Sequence, residues 1–353
     1  MDIFAAREFD GHELVIFGSD APTGLRAIIA IHSTALGPAA GGCRMWPYAS
    51  EAEAVADVLR LSRGMSYKNA MAGLPFGGGK AVIIGDSRTL KTPELFAAFG
   101  RMVDSLRGRY VTAEDVGTTT ADMAHVARAT RYVSGLGGSP GQAGGDPAPK
   151  TALGVFLGLK AAVKFRLGRG DLEGLTVAVQ GVGGVGYHLC GMLAAAGARL
   201  KVADVVPTAL SRVCDEFGAV PVPPVSVLEE EADVLAPCAL GAILDGRSTR
   251  KLRVPVVAGA ANNQLARTED GETLKAAGIL YAPDYVINAG GIISVAREYY
   301  GGTEAQVLED IQGIPQRLTE IFERARRENR STSEIADRMA REKLGREAQR
   351  LVA

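Results

Sequence analysis

The sequence predicts an α/β protein of two domains, the second of them a doubly wound parallel sheet. Three observations predict it. The chain has 353 residues, and single hydrophobic cores stop growing at roughly 250–300 residues. Between residues 134 and 150, Gly and Pro crowd a stretch without periodicity, the mark of a connection between domains. Beyond it, apolar runs and helical patterns alternate, as they do where helices cover both faces of a parallel sheet.

In the first domain, residues 12–19 and 25–32 are apolar, β-branched runs around the turn cluster Asp20-Ala21-Pro22-Thr23-Gly24, which predicts two strands. Ser50 is placed as an N-cap, and Glu53 completes a capping box for a helix through Val55, Val58, Leu59 and Leu61. Residues 81–84 predict a short strand, 93–106 a helix and 110–112 another short strand. Residues 151–167 open the second domain as a helix. Strands follow at 175–180, 200–204, 220–222, 234–236, 254–259 and 279–282, with helices between most of them. The tail from Glu304 is charged and helical, and its end, about 325–353, is expected to return to the first domain. The expected boundaries are therefore 1–140 with that tail for the first domain, and 141–324 for the second.

Composition narrows the function. Hydrophobic residues make up 47% and charged residues 22%, and 39 basic against 40 acidic side chains leave a net charge of −1. Nothing in that balance draws the chain to nucleic acid or to an anionic membrane. No run approaches the roughly 18 apolar residues of a membrane span, and the start, Met1-Asp2-Ile3-Phe4-Ala5-Ala6-Arg7-Glu8, lacks a secretory pattern. Cys43, Cys190, Cys214 and Cys238 are scattered without a CxxC pair, which reads as reduced thiols of a cytoplasmic protein with no metal site. The expected partners are small molecules or further copies of the chain.

The strand at 175–180 runs directly into Gly181-Val182-Gly183-Gly184-Val185-Gly186. In this G-x-G-x-x-G pattern Gly181 permits a tight turn, Gly183 leaves room for a pyrophosphate, and Gly186 lets helix and strand pack closely. Gly184 and Val185 open the helix whose N-terminal N–H groups and dipole favour the anion. Asp204 closes the next strand at the distance where a carboxylate accepts the ribose hydroxyls and repels a 2′-phosphate, so the predicted cofactor is NAD rather than NADP. A glycine-rich turn without a ligand is the bland alternative, and flavins share the fingerprint.

Gly77-Gly78-Gly79-Lys80 is not a P-loop, because Leu74 stands where the first glycine belongs and Ala81 follows the lysine. It reads as a loop that brings Lys80 to the start of the strand at 81–84, with Lys68 at the end of the preceding helix. Two lysines in one partly dry cleft depress each other's pKa, so one can serve as an acid/base while the other clamps a carboxylate. Two snorkelling surface lysines are the alternative, and the pattern leaves both open.

Taken together, these residues resemble the glutamate/leucine/phenylalanine/valine dehydrogenases over nearly the whole chain. The landmarks are Gly37-Pro38-Ala39-Ala40-Gly41-Gly42-Cys43-Arg44, Leu74-Pro75-Phe76-Gly77-Gly78-Gly79-Lys80 and Thr112-Ala113-Glu114-Asp115-Val116-Gly117-Thr118, then the glycine loop, Gly259-Ala260-Ala261-Asn262-Asn263 and Asn288-Ala289-Gly290-Gly291. The resemblance implies that Lys68, with N–H groups near Gly41 and Gly42, holds the substrate α-carboxylate. It implies that Lys80 is the acid/base for the attacking water and that Asp115 exchanges protons with the amino group. Hydride leaves Cα for the nicotinamide, and hydrolysis of the iminium yields a 2-oxo acid and ammonia. Asn262 would orient nicotinamide or substrate, with Asn288 supporting the same region. A homo-oligomer is also implied. His12, His32, His125 and His188 fall in no motif and read as structural or surface residues.

Glutamate-specific members carry a lysine at the position of Ala40 and a serine at that of Val295. A pocket lined by Ala40, Ala113, Ile292 and Val295 would leave a second carboxylate unpaired, at a cost of several kcal/mol. Ala113 and Val133 resemble leucine enzymes, whereas Ala40 replaces the leucine usual there and enlarges the pocket. Such differences discriminate by only ~1–3 kcal/mol. The expected substrates are leucine, isoleucine and valine, with aromatic amino acids such as phenylalanine as the alternative. A non-catalytic NAD-binding sensor is the alternative of another class. Lys150 departs from the uncharged residue common in relatives.

Overall fold

The computed structural model describes residues 2–137 and 140–346. Of the expected segments, residues 138–139 of the connection and 347–353 of the returning tail lie outside it. The chain divides into two compact units, the first drawn from Met1–Gly145, Ser294–Gln306 and Ala340–Ala353, the second from Asp146–Ile293 and Val307–Met339.

The first unit is built on a mixed sheet. Strand β1 (Leu14–Asp20) runs antiparallel to β2 (Leu25–Ser33), and Thr23 closes the turn by donating its hydroxyl to Asp20 Oδ2 over 2.6 Å. Then come β3 (Ala39–Ala40), β4 (Cys43–Trp46), helix α1 (Glu51–Ala72), β5 (Gly77–Ile84), α2 (Pro93–Ser105), β6 (Tyr110–Val111) and α3 (Thr120–Val126). The sheet order is β1-β2-β5-β3-β6, and β4 continues along the same edge of β5 as β3. Successive side chains of β2 point to opposite faces. Ala27, Ile29 and Ile31 join a core with Phe96, Phe99 and Val126, whereas Ile28 and Ala30 pack with Val55, Val58 and Leu59 of α1. Ser50 caps α1 as expected, accepting from Glu53 N at 3.2 Å. The Glu53 carboxylate, however, takes the N–H of Ala49 at 3.0 Å.

The glycine run is the main correction in this unit. Gly77, Gly78 and Gly79 are not a loop but the first half of β5. A Cβ on Gly78 would lie 2.0 Å from Ser66 N of α1, and one on Gly79 would lie 2.7 Å from the Tyr110 ring. Glycine inside a strand here marks close approach of neighbouring elements rather than a turn.

The second unit begins with α4 (Ala148–Leu167), followed by β7 (Thr176–Gln180), α5 (Gly184–Ala195), β8 (Arg199–Ala203), α6 (Pro207–Phe217), β9 (Val220–Pro221), β10 (Val234–Pro237), β11 (Val256–Val257), α7 (Asp270–Ala276), β12 (Leu280–Tyr281) and α8 (Asp284–Ile287). Its strands are all parallel, in the order β12-β11-β10-β7-β8-β9. Counted from β7, this is the 3-2-1-4-5-6 order of the Rossmann fold, and the order reverses between β7 and β10, where such sheets bind ligands.

The tail forms α9 (Gly290–Tyr299), α10 (Glu304–Ile311), α11 (Ile314–Glu328) and α12 (Thr332–Lys343). The return to the first unit begins at Ala340, not near 325, and the stretch Ser294–Gln306 also belongs to the first unit. Packing explains the later return. Helix α11 buries Leu318, Ile321, Phe322 and Ala325, with the Phe322 ring 5.3 Å from that of Phe165 on α4, so it stays with the second unit. The first boundary falls after Gly145 rather than 140. Among the described residues, no helix is long and apolar enough to cross a membrane. The four cysteines are free.

Candidate active site

In the first unit the structure brings Lys80, Asp115 and Gly42 together. Lys80, on β5, is 4% exposed, and its Nζ lies 3.1 Å from Asp115 Oδ2. Asp115 follows β6 on a segment that extends the sheet beside β4, with Cys43 N donating to Ala113 O at 2.8 Å and Met45 N to Val116 O at 2.9 Å. Thr118 fixes its backbone, accepting from Asp115 N at 2.9 Å and donating to Cys43 O at 2.9 Å. A Cβ on Gly42 would lie 2.9 Å from Asp115 Cβ, so only glycine at 42 leaves the carboxylate where it is. Burial pushes the Asp115 pKa up, but Lys80, and after it Arg44, outweigh burial and hold it below the ordinary carboxylate value.

Arg44 was assigned no role from sequence. Its Nε donates to Asp115 Oδ2 at 3.0 Å and its Nη1 to Asp57 Oδ2 at 2.9 Å. Asp57, on α1, also accepts from Tyr48 OH at 2.7 Å and from Arg60 Nη2 at 2.7 Å. Arg44 closes the first landmark segment, which was the available signal; its partner on α1 could not be read from it.

Lys68 stands on α1, a turn short of the helix end at Ala72 rather than at the end itself, and is half-buried. Its neighbour Asn69 is buried and donates to Gly77 O at 2.6 Å, tying the helix to β5. The N–H of Gly41 is engaged by Val111 O at 3.2 Å, so Gly41 does not offer it freely to an anion. Ala40 and Ala113 are buried in this sheet region. Val295 is half-buried in the same unit, and its carbonyl accepts from Ser134 Oγ at 3.0 Å. Glu298, one helical turn on, accepts from the N–H groups of Gly135 and Leu136 at 3.1 and 2.8 Å, pinning this stretch. Ile292, also half-buried, belongs to the second unit.

In the second unit each glycine of the loop has its own reason. Gly181 has φ +90° and a Cβ there would lie 2.6 Å from that of Ala239; a Cβ on Gly186 would lie 2.0 Å from Gly181 O. Gly183 alone among the three faces open space, with nothing within 4 Å of an added Cβ. Gly183 is the N-cap of α5, and no side chain caps that helix. Gly184 and Val185 form its first turn, where N–H groups have no intrahelical partner. Asp204 braces this loop, accepting from Val182 N at 2.7 Å and from Val206 N at 2.8 Å. Asn288 is buried and donates its amide to Asn262 Oδ1 at 2.7 Å and to Ala260 O at 2.9 Å. Its own Oδ1 is buried without a partner among the described residues. Gln264, which the sequence reading passed over, donates to Gly259 O and Ala261 O at 2.9 Å each, bracing the same turn. The space at Gly183, the uncapped helix end and the adjacent carboxylate fit a dinucleotide. Lys150 lies in the first turn of α4, with its carbonyl against Gly290.

Comparison with known proteins agrees with both halves. The model of the Glu/Leu/Phe/Val dehydrogenase dimerisation domain matches residues 15–132, and that of the Glutamate/Leucine/Phenylalanine/Valine dehydrogenase family matches residues 209–349. The leucine dehydrogenase of Geobacillus stearothermophilus is 50% identical over 344 residues, covering 98% of this chain and 94% of that protein. The phenylalanine dehydrogenase of Bacillus thermotolerans is 46% identical over 338 residues, covering 94% and 88%. The crystal structure of L-tryptophan dehydrogenase from Nostoc punctiforme superposes with a TM-score of 0.83 at 44% identity, covering 95% of this chain and 96% of that one. The chain therefore belongs to the Glu/Leu/Phe/Val dehydrogenase family, the amino-acid dehydrogenases that act on a CH–NH2 group.

Proposed function

We propose that this protein is an NAD-dependent dehydrogenase of apolar L-amino acids, leucine, isoleucine and valine first, converting them reversibly to 2-oxo acids and ammonia. The observation that carries the reading is the 3.1 Å pair between Asp115 and Lys80, the latter on a buried strand. A binding module needs no such pair, whereas oxidative deamination needs a proton acceptor for the amino group and another for water at the same carbon.

Lys68 holds the α-carboxylate, with Gly42 beside it rather than Gly41. Asp115 takes a proton from the amino group and later returns one as ammonia leaves. Lys80 removes the proton of the attacking water. Bound NAD supplies the acceptor for the hydride, held at Gly183, Gly184 and Val185, with Asn262 and its support Asn288 at the nicotinamide end. Asp204 supports NAD over NADP, because a carboxylate beside the ribose repels a 2′-phosphate. The side chain of the substrate meets Ala40, Ala113 and Val295, with Ile292 assigned to the same task by resemblance. None of these can pair a second carboxylate, so glutamate is disfavoured.

Leucine is placed before phenylalanine because the leucine dehydrogenases found are 48–50% identical to this chain and the phenylalanine dehydrogenases 45–46%. The test is kcat/KM for both, followed by NADH absorbance. A leucine preference is expected, and a phenylalanine preference above about tenfold overturns it. If no amino acid is turned over while NAD still binds, the protein is a sensor instead. We also propose a homo-oligomer. The matched model of residues 15–132 is described as a dimerisation domain, and β1 is an edge strand carrying Phe17 at 56% exposure. Light scattering on the purified chain tests it.

A further inference from the structure

Two cations meet one oxygen of Asp115. Lys80 Nζ lies 3.1 Å from Oδ2, and Arg44 Nε donates to the same atom over 3.0 Å. The two are not equivalent. A lysine can give up its proton and recover it, whereas a guanidinium stays charged at any pH a protein survives. If Lys80 works on water as proposed above, it is neutral for part of the cycle, and in that interval its attraction for Asp115 is gone. The burial that favours a protonated Asp115 does not change in step.

We infer that Arg44 is a positioning residue for Asp115, a permanent counter-charge that keeps this carboxylate unprotonated and aimed while Lys80 exchanges its proton. The inference rests on the roles given to Lys80 and Asp115. Both cations fall on Oδ2, and in this reading Oδ1 is the oxygen that serves the amino group. The support behind Arg44 suits this task. Arg44 sits on β4 beside β5, opposite Val82 in register, and its second nitrogen is held by Asp57 of α1 at 2.9 Å. Asp57 is in turn fixed by Tyr48 and Arg60. An arginine that merely staples β4 to α1 would need only Nη1 on Asp57; it gives no reason for Nε on Asp115. The planar fork reaches both carboxylates through two separated nitrogens in a fixed geometry, whereas a lysine offers a single point charge. The titratable groups that feel the Asp115 charge include Cys43 on β4, Tyr110 on β6 and Tyr48, and burial pushes the pKa of each up, so all three stay uncharged.

The experiment compares Arg44→Met, Arg44→Gln and Arg44→Lys with the unaltered protein. It measures kcat, KM and the pH profile of kcat/KM for amino-acid oxidation, together with Tm and the Kd for NAD. Removing a fixed positive charge makes the acids left in the cluster harder to deprotonate. The acid limb is therefore expected to move up by about one pH unit in the Met and Gln variants. Their kcat should fall about 10–100-fold, less than the roughly 100–1000-fold of a donor lost at the reacting atoms themselves because Arg44 acts through Asp115, with amino-acid KM and NAD Kd changed less than about threefold. Arg44→Lys should restore the limb but only part of kcat, because it keeps the charge and loses the fork. If Met does not fold, Gln retains donors for Asp57 and carries the same test. An active protein whose acid limb stays in place in a folded neutral variant overturns this inference alone. An unaltered protein inactive on every amino acid overturns the roles of Lys80 and Asp115, and this inference with them.

Discussion

Replacing Gly183 by alanine is expected to abolish cofactor binding and spare the fold, while the same change at Gly186 does the reverse. At Gly183 the added methyl meets nothing within 4 Å, and the backbone is extended at φ −68° and ψ −155°, which alanine tolerates. Alanine is a poorer N-cap than glycine by ~0.5–1 kcal/mol, and it restricts the unfolded chain by a similar ~0.4–1 kcal/mol. The net is near zero, a Tm change below about 3 °C. The methyl instead fills the space assigned to the pyrophosphate. Each charge-assisted hydrogen bond lost there costs ~1.5–3 kcal/mol, so losing two weakens binding by more than about 100-fold.

At Gly186 the methyl would sit 2.0 Å from Gly181 O, and β7 and α5 must separate by more than an ångström. Such overpacking costs about 3 kcal/mol, roughly 6–12 °C in Tm for a unit of this size. Gly181→Ala combines a left-handed φ of +90° with a 2.6 Å clash against Ala239, and its cost is about 2–5 kcal/mol. Thermal denaturation without cofactor, and calorimetric titration with NAD, separate the two effects. A Gly183→Ala protein that binds NAD within about threefold of the original, or that loses as much Tm as Gly186→Ala, refutes the reasoning.

Two more outcomes follow from buried polar groups. Asn288→Ala removes the donor to Ala260 O and Asn262 Oδ1, and should cost ~1–3 kcal/mol while raising the KM for NAD as Asn262 loses its support. An unchanged Tm and KM would refute it. His12 is lowered to about 4, by burial first and then by His32, and burial likewise lowers His32. The unfolded chain therefore binds protons below pH ~6.5 that the folded chain refuses, so stability falls as pH drops from ~6.5 to about 4. The loss from His12 alone is on the order of 3 kcal/mol. At His32, Nε2 faces both Arg346 Nη1 at 2.8 Å, which opposes protonation, and Asp10 Oδ2 at 3.4 Å, which favours it, and burial sets the net direction downward. His12→Asn should flatten the dependence of Tm on pH over that range, and an unchanged slope counts against the assignment.

The second unit was the more legible in sequence because its signals are local. A strand, a glycine turn and a helix follow one another within β7, the loop and α5, and each residue's reason lies a few positions away. The first unit hides more. Strands β3 and β4 are two and four residues long and flanked by glycine, too short to show a period of two. Gly77 to Gly79 carry the commonest loop signal, yet here glycine is required by Ser66 and Tyr110, neighbours in space that no local pattern names. Lys80 was singled out by the local pattern with its role left open, whereas Asp115 was found through resemblance. Arg44, Thr118 and Gln264 were missed for one reason: each acts on a partner distant in sequence or on a backbone carbonyl, and a side chain's type says nothing about which carbonyl it will meet.

The same glycines connect the fold to the chemistry. Because Gly78 lets α1 approach to the van der Waals limit at Ser66, and Gly79 lets Tyr110 close from β6, the strand between them is sealed from water and Lys80 is left 4% exposed. A lysine in open solvent would be a hydrated point charge with little hold on Asp115, since an ion pair in high dielectric is worth at most about 1 kcal/mol. In the sealed strand the attraction is stronger, and it competes with a larger desolvation cost. That competition is what Arg44 shifts, by adding a charge that does not titrate. The dryness from the glycines and the fixed cation from β4 are therefore two parts of one arrangement. Without the first, Lys80 would interact too weakly to matter; without the second, the role we propose for Asp115 would rest on Lys80 alone, a cation that can lose its charge.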